Sequence, residues 1–488
     1  MKVLIINPPQ KNTIKEYPDD NGQGYVETDD YGYFPPLGAL YILSYAEKKL
    51  PQHEYFFKDC VGEHLDFPQI INYLQELQPD IVGITSFTIS LIDVVKTAEL
   101  VKECNPNSFV CLGGHHPTAF PFEAAALKQF DCIVVGEGEY AFTELLSTLE
   151  NKGDITKILG VYTNDSIQVL KEKTFKDPRF LNHVIVAPAY VEDVDDIAPP
   201  NREYIKHINY NSVIGLTGKL ATIITSRGCP YKCTFCDVPY KKYRQRNVEL
   251  VMDEIEMCLE QGYKEFHFYD DLFNMTAQKI LDFCDALERR GLSIVWDFRG
   301  RVNAVTFESL VRSKKNGLRM ISFGVETGSD LGMKTLKKGT KVDQVKMVFN
   351  WCRELGIKTV ANYMIGLPHE KSEQDVMENI EFLIELDPDY AQINIMNLYP
   401  HTRVHDDAIA KGFAQKGRWE SFSLNPTTDF RVDHWIEHLT EKQLVQLHRK
   451  AYRKFYFRPK YILRSAIKTA SLHELKAKIK GVKTLLGV

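Results

Sequence analysis

Three cysteines, Cys229, Cys233 and Cys236, stand in a Cys-x-x-x-Cys-x-x-Cys spacing within the run from Thr225 to Asp237. They follow directly on an apolar stretch, Leu220 to Ile224, that predicts a buried strand, so the spacing places three thiols at a strand end. Thiolates this close together can wrap three corners of a cubane iron-sulfur cluster, whereas a four-ligand zinc site or a two-cluster ferredoxin calls for a fourth cysteine nearby. The next two, Cys258 and Cys284, both fall inside helical patterns. A cubane on this trio keeps one iron open for a ligand from outside the protein; a zinc knuckle or a chance trio is the alternative. Gly228 permits a tight turn into the loop, and Pro230 stiffens it.

The spacing, with Phe235 just before the last cysteine, resembles the radical S-adenosylmethionine (SAM) superfamily. That resemblance implies that Cys229, Cys233 and Cys236 bind a 4Fe-4S cluster as metal ligands. It also implies that the open iron chelates the amino and carboxylate groups of SAM, and that an electron from the cluster splits the sulfonium to give a 5′-deoxyadenosyl radical. Such chemistry draws on an external electron donor, such as flavodoxin or ferredoxin.

The elements that must position this loop are read from the rest of the chain. With 488 residues the chain is too long for one core, and its 44% hydrophobic content matches a soluble globular protein of two or three domains. No apolar run approaches the roughly 18 to 20 residues that span a bilayer, and the N-terminus lacks a signal-peptide pattern. The net charge of −5 argues against nucleic acid as a partner. Ten cysteines without a disulfide framework, together with an oxygen-labile cluster, point to a reducing cytoplasm.

Residues 1–150 alternate strand and helix patterns, which specifies an α/β fold with a parallel, doubly wound sheet. Strands are expected at the N-terminus and at Glu54 to Lys58, Asp80 to Ile84, Ser108 to Leu112 and Asp131 to Val135. Ligands on such sheets sit beyond the carboxyl ends of the strands. Those ends carry Asn7-Pro8-Pro9, Thr85-Ser86, Gly113-Gly114-His115-His116 and Gly136-Glu137-Gly138. Small residues let backbone approach a bulky flat ligand, and hydroxyls and amides can bond its edge. The absence of G-x-G-x-x-G after the first strand disfavours a dinucleotide.

Taken with the cysteine loop, this half resembles the cobalamin-binding domain of the cobalamin-dependent branch of radical SAM enzymes. The resemblance implies cobalamin at Asn7, Pro8, Thr85, Ser86, Gly113, Gly114, His115, Gly136, Glu137 and Gly138. The Asp-x-His-x-x-Gly signature that supplies a histidine to cobalt is missing after the first strand, so no cobalt ligand is expected from that loop. His115 and His116 bond the corrin edge or fill their loop. For Gly136 and Gly138, turn geometry is the competing reason. Gln10 to Tyr33, acidic and aromatic, forms either a lid or a solvated insertion.

Residues 151–215 form a connector, with strand patterns at Gly160 to Thr163 and Ile167 to Leu170 and no assigned chemistry. Residues 216–400 resume the alternation in six units, most of a TIM-like barrel left open on one side, with active groups at the carboxyl ends of its strands. Asp270-Asp271, Arg299 and Arg301, Glu326 and Gly366 lie at those ends. By resemblance, Asp270 and Asp271 meet the SAM amine, Glu326 meets polar parts of the nucleoside, and Gly366 lets backbone approach adenine. N-capping of the following helices is the other role for Asp271 and Glu326, and Arg299 and Arg301 are candidates to pair with those carboxylates.

Residues 401–488 read as a helical cap, with Trp419 and Trp435 packing onto the barrel mouth. The stretch from Tyr452 to Arg464 and the series Lys476, Lys478, Lys480 and Lys483 are basic with apolar residues interleaved. Such a segment is either a solvated helix face or a peripheral contact with an anionic membrane, which would favour a lipid-like over another small-molecule substrate. By resemblance, the chain is a cobalamin-dependent radical SAM enzyme, most often a methyltransferase acting on an unactivated carbon through methylcobalamin. Oxidative cyclisation or ring rearrangement, as in the anaerobic magnesium-protoporphyrin monomethyl ester cyclase relatives, and a non-catalytic iron-sulfur and corrinoid binding protein remain the alternatives.

Overall fold

Val3, Leu4, Ile5 and Ile6 are all buried, as a parallel strand covered by helices on both faces requires. They belong to a computed structural model that describes residues 1–14, 16, 32–170, 175–180, 186–212, 215 and 219–467. The chain divides into two compact units. One takes the described residues of 1–15, 33–209 and 415–431; the other takes those of 16–32, 210–414 and 432–488.

The first unit is built on strands β1 (Lys2–Asn7), β2 (Glu54–Asp59), β3 (Ile81–Ser86), β4 (Phe109–Gly114), β5 (Cys132–Val134) and β6 (Val161–Tyr162). Their order is β2-β1-β3-β4-β5-β6, parallel throughout except for β6, which runs antiparallel to β5. The order reverses direction at β1, the topological switch point where such sheets open a crevice. The expected strands and helices are found within two or three residues at either end. Local chemistry sets the boundaries: Asp66 and Gln69 form a reciprocal capping box at the start of helix Phe67–Leu77, and Pro68 fits its first turn.

Ile167 to Leu170 departs from expectation. A short helix, Asn164–Gln168, replaces the expected strand because Thr163 and Ser166 cap each other across its first turn, and the turn buries Ile167.

The second unit contains β7 (Leu220–Ile223), β8 (Glu265–Phe268), β9 (Val295–Gly300), β10 (Leu318–Glu326), β11 (Lys358–Ile365) and β12 (Tyr390–Ile395). They are hydrogen-bonded in the order β12-β11-β10-β9-β8-β7, all parallel, so β7 and β12 are the edges of an open barrel. One face packs Phe268, Phe273, Phe283, Trp296 and Phe298 edge to face and tilted against the surrounding helices. Near the amino ends, Arg319 lies between Glu265 and Asp297, and His267 Nδ1 meets Asp297.

An open edge strand exposes unpaired backbone, and helix Glu441–Tyr456 covers the one at β12. Tyr452 OH accepts from Ile393 N, Tyr456 OH bridges the N and O of Ala391, and His448 Nε2 lies 2.7 Å from Ile393 O. Burial pushes the His448 imidazole down to about 4, so it is neutral and donates through Nε2.

Trp435 packs with Phe413 among the apolar residues at the β11 and β12 ends. Trp419 does not join it. Its helix, Arg418–Leu424, packs on helix Pro121–Ala126 of the first unit, and its ring meets Phe422 edge-on and Phe430 at a tilt. Trp419→Ala therefore removes a fully buried ring from the first unit, at a cost of about 3 to 5 kcal/mol. Hydrogen exchange should show faster exchange of the β1, β3 and β4 amides with the barrel amides unchanged.

Candidate functional site

The cysteine loop is an excursion closed at its base by a two-residue ribbon, Ser226–Arg227 against Arg244–Gln245. Gly228 has φ +83°, and a Cβ there would lie 2.5 Å from Lys242 O, so the turn requires glycine. Gly228 N donates to Asp271 Oδ2, Cys229 N to Tyr240 O, and Cys236 N to Cys233 O, which folds the last two cysteines into one turn. Phe235 anchors the tip in the apolar cluster of Leu336, Met364, Leu367 and Met396.

Beneath the loop lies a buried polar knot. Asp270 Oδ1 accepts from Thr225 N, Thr225 Oγ1 and Ser226 Oγ at 3.0, 2.8 and 2.5 Å. Lys279 Nζ donates to Thr225 Oγ1, Ser226 Oγ and Tyr243 OH, 3.9 Å from Asp270 Oδ1. Burial lowers the Lys279 ammonium to about 8. Nothing in the sequence pattern marks Lys279, which sits one turn inside a helix capped by Thr276. Asp270 Oδ2 is buried with no hydrogen-bond partner among the described residues, which leaves one carboxylate oxygen for a cationic ligand.

Further round the barrel, a bulge after Gly324 puts Glu326 at φ +70° and turns its carboxylate onto Lys338 Nζ, 2.7 Å away. Arg299 and Arg301 do not pair with Glu326 or Asp271. Arg299 stacks on the Tyr269 ring at 4.3 Å, and Arg301 reaches Cys233. Gly366 has φ +73°. The loop after it is fixed by two residues the sequence did not reveal: Glu370 accepts from Leu367 N and Asn379 Nδ2, and Asn379 Oδ1 accepts from Gly328 N and Tyr363 OH. The ends of β10 and β11 are thereby tied together. At the end of β12, Asn397 donates to Tyr399 OH, which donates to Glu16, the described remnant of the expected lid; residues 15 and 17–31 lie outside the described residues.

The chemistry of this donor set fits a cubane. Among the described residues no three His, Cys, Asp or Glu side chains converge on a single metal-ion position; a cubane instead places one thiolate at each of three corners. Burial raises the Cys229 thiol and pushes Cys236 up to about 12, so iron must displace protons to load.

In the first unit, Ser86 Oγ donates to Gly113 O, and Gly114 at φ +100° admits no Cβ because Ser86 O would lie 2.6 Å from it. Gly113 faces open space: a Cβ added there would meet no atom within 4 Å. Phe87, 58% exposed, stacks on His115 beside it, so flat apolar and imidazole surface borders the opening. This arrangement fits a broad planar ligand. His115 and His116 open a short helix, His115–Ala119, instead of a loop. His116 is fully buried, bonded to Thr88 Oγ1, and lowered by burial to about 3. Asn7 Nδ2 donates to Asp59, and Pro8 is buried after it. Buried Asp93, unmarked in the sequence, accepts from Lys11 N, Asn12 N and Asn12 Nδ2 and fixes the chain beyond Pro9.

Gly136, Glu137 and Gly138 have other work. A Cβ on Gly136 would strike Ala189 O at 2.2 Å, one on Gly138 would strike Ile42, and the Glu137 carboxylate accepts from Val191 N. Packing of the connector and of helix Leu37–Lys49 accounts for all three.

A switch-point sheet with open, small-residue strand ends, followed by an open parallel barrel whose first strand end carries the cysteine trio, is the layout expected of a corrinoid-binding radical SAM enzyme. Residues 223–383 match the family model of the Radical SAM superfamily, and residues 28–146 match that of the B12 binding domain. An uncharacterized methyltransferase of Pyrococcus horikoshii is 30% identical over 470 residues, 95% of this chain and 94% of that protein. The chain belongs to the B12-dependent radical SAM family, whose cofactors are a 4Fe-4S cluster, SAM and cobalamin. The anaerobic magnesium-protoporphyrin IX monomethyl ester cyclase of Rubrivivax gelatinosus is 28% identical over 76% of this chain, which spans 65% of that cyclase. The radical SAM methyltransferase TsrM of Kitasatospora setae, solved with tryptophan and a SAM analog, has a TM-score of 0.69 at 16% identity, over 94% of this chain and 90% of that one.

Two outcomes follow from the buried groups. Lys279→Met strands the Asp270 carboxylate, a loss of about 3 to 5 kcal/mol if the charge persists, and iron uptake on reconstitution should fall with the melting temperature. Burial raises Glu370 to about 7 from its ordinary 4.5, so between those pH values the native state keeps a proton that the unfolded chain has lost, and stability declines as pH rises. Glu370→Gln lacks this loss. Relative to wild type it should gain up to about 3 kcal/mol between pH 5 and 7.5 in urea unfolding of the apoprotein.

Proposed function

We propose that this enzyme methylates an unactivated carbon of a small or lipid-like molecule, with Cys229, Cys233 and Cys236 holding the 4Fe-4S cluster. The observation that carries this reading is the match to a methyltransferase along 95% of the chain, where the cyclase extends well beyond it. When bound, the cofactors supply a radical generator and a methyl carrier.

The chain's own residues orient and shield them. Asp270, through its unengaged oxygen, and exposed Asp271 receive the SAM amine. Glu326, held by Lys338, meets polar parts of the nucleoside; Gly366 brings backbone near adenine; Phe235 forms an apolar wall. Asn7, Pro8, Thr85, Ser86, Gly113, Gly114 and His115 border the corrin, with Gly136, Glu137 and Gly138 as the packed wall behind. The cluster, when bound, would draw its electron from an external one-electron donor of the flavodoxin or ferredoxin kind. Ten cysteines with no disulfide among the described residues support a reducing, cytoplasmic setting.

No helix among the described residues is long and apolar enough to cross a membrane. Helix Pro459–Ile467 leaves Ile462, Leu463 and Ile467 exposed by 51%, 65% and 76%, and the preceding helix carries Arg449, Lys450, Arg453 and Lys454 along one stripe. Apolar side chains flanked by cations suit the surface of an anionic bilayer, which supports peripheral contact and a lipid-like substrate. The lysines from Lys476 onward lie outside the described residues. Truncation after Arg458 should lower flotation with phosphatidylserine vesicles; unchanged flotation removes the membrane contact.

Methyl transfer consumes two SAM per product, one of them released as S-adenosylhomocysteine, while cyclisation or rearrangement releases none. Anaerobic extracts with and without the protein should differ by a product one methylene heavier, with S-adenosylhomocysteine formed in equal amount. Alanine at any of the three cysteines should reduce SAM cleavage to background.

A further inference from the structure

We propose that Arg301 is a built-in counter-ion of the cluster, a positioning residue that acts through Cys233 to raise the cluster's reduction potential. This rests on the reading that the cysteine trio holds the cluster.

Arg301 is 6% exposed, yet it forms no ion pair among the described residues. The carboxylates at the neighbouring strand ends are engaged elsewhere: Glu326 by Lys338, Asp270 by Thr225 and Ser226, and Asp271 by Gly228 N. A buried cation without an anion is costly, and every group that holds Arg301 in place is neutral. Nε donates to Asn303 Oδ1, Nη2 donates to the Lys338 carbonyl, and the guanidinium lies over the Tyr231 ring at 3.8 Å. Nη1 is left aimed at Cys233 Sγ, 3.6 Å away.

The backbone is fixed as firmly. Asn274, fully buried, accepts from Arg301 N through Oδ1 and donates to Arg301 O through Nδ2. Arg301 therefore meets the sulfur from a preset position, with a cation that never loses its proton.

A thiol sulfur is a weak acceptor, and an anionic thiolate is a much stronger one. One-electron reduction by an external donor would add a negative charge to the iron-sulfur unit that Cys233 would ligate. A fixed positive charge and a hydrogen bond at that sulfur stabilise the reduced state more than the oxidised one, which moves the couple to a more positive potential.

The test is a potentiometric titration, followed by electron paramagnetic resonance, of anaerobically reconstituted full-length wild type, Arg301→Gln, Arg301→Lys and Tyr231→Leu, with iron and sulfide counted per chain. In Arg301→Gln the ratio of reduced to oxidised cluster at a fixed potential should fall about tenfold, a shift of about 59 mV for a one-electron couple. Arg301→Lys should recover part of this, and Tyr231→Leu, which releases the stacked guanidinium, should shift the same way by less. If Arg301→Gln takes up no cluster, the other two variants decide. Midpoints equal to wild type in variants with a full iron count overturn the proposal, and a weakened SAM affinity at unchanged midpoint overturns it in favour of a SAM-carboxylate contact. A wild-type chain without a four-iron cluster overturns this and the trio reading together.

Discussion

At the end of β8, Asp270 is almost wholly withdrawn from solvent, and Thr225 N, Thr225 Oγ1 and Ser226 Oγ all turn toward the same carboxylate oxygen. Water cannot substitute for it there, so the chain leaving β7 has one low-energy path. That path delivers Gly228 to Asp271 and Cys229 to its bond with Tyr240. Lys279 offsets the buried charge from below, through the same hydroxyls, and a loop of fifteen or so irregular residues inherits the rigidity of the barrel. A cofactor ligated by a floppy loop would sample many geometries; this one is presented by a strand.

The same device recurs in both units. Asp93 gathers two backbone amides and one side-chain amide beyond β1, and Glu370 with Asn379 gathers the amides beyond β10 and β11. Asp93 and Asn379 do so from inside helices, while Asp270 and Glu370 are buried acceptors within the loops they hold. Backbone that loops toward a ligand is kept from collapsing without being paired to other backbone, and its small residues stay available at the surface.

Much of this architecture is legible in the chain because parallel strands buried on both faces write continuous apolar runs, and because a cysteine trio after such a run is a rare pattern. The strand-end rule then points to Asn7, Ser86, Gly113, Asp270, Glu326 and Gly366. What stays hidden has a common cause: Lys279, Asn379, Asp93 and Asn274 act across tens of residues, and each looks in sequence like an ordinary polar position. Arg301 stands at a strand end in plain view, but its partner is a sulfur where the sequence suggests a carboxylate. Ile167 reads as strand because the four residues Ile167 to Leu170 are too few to show a period, while Thr163 and Ser166 before it carry a helix start. Gly136 and Gly138 have the right residue type for a ligand turn; their neighbours in space show that packing demands it.

Residues 415–431 return to the first unit after the whole barrel has been threaded, bringing helix Arg418–Leu424 against helix Pro121–Ala126 with Phe430 packed on Trp419 and Phe422. During synthesis, therefore, helix Pro121–Ala126 lacks its cover until the ribosome has released residue 431, by which time every barrel strand is already out. The half of the molecule made first is among the last to be completed, so a nascent chain stalled inside the barrel leaves a helix of the preceding unit with sticky surface exposed.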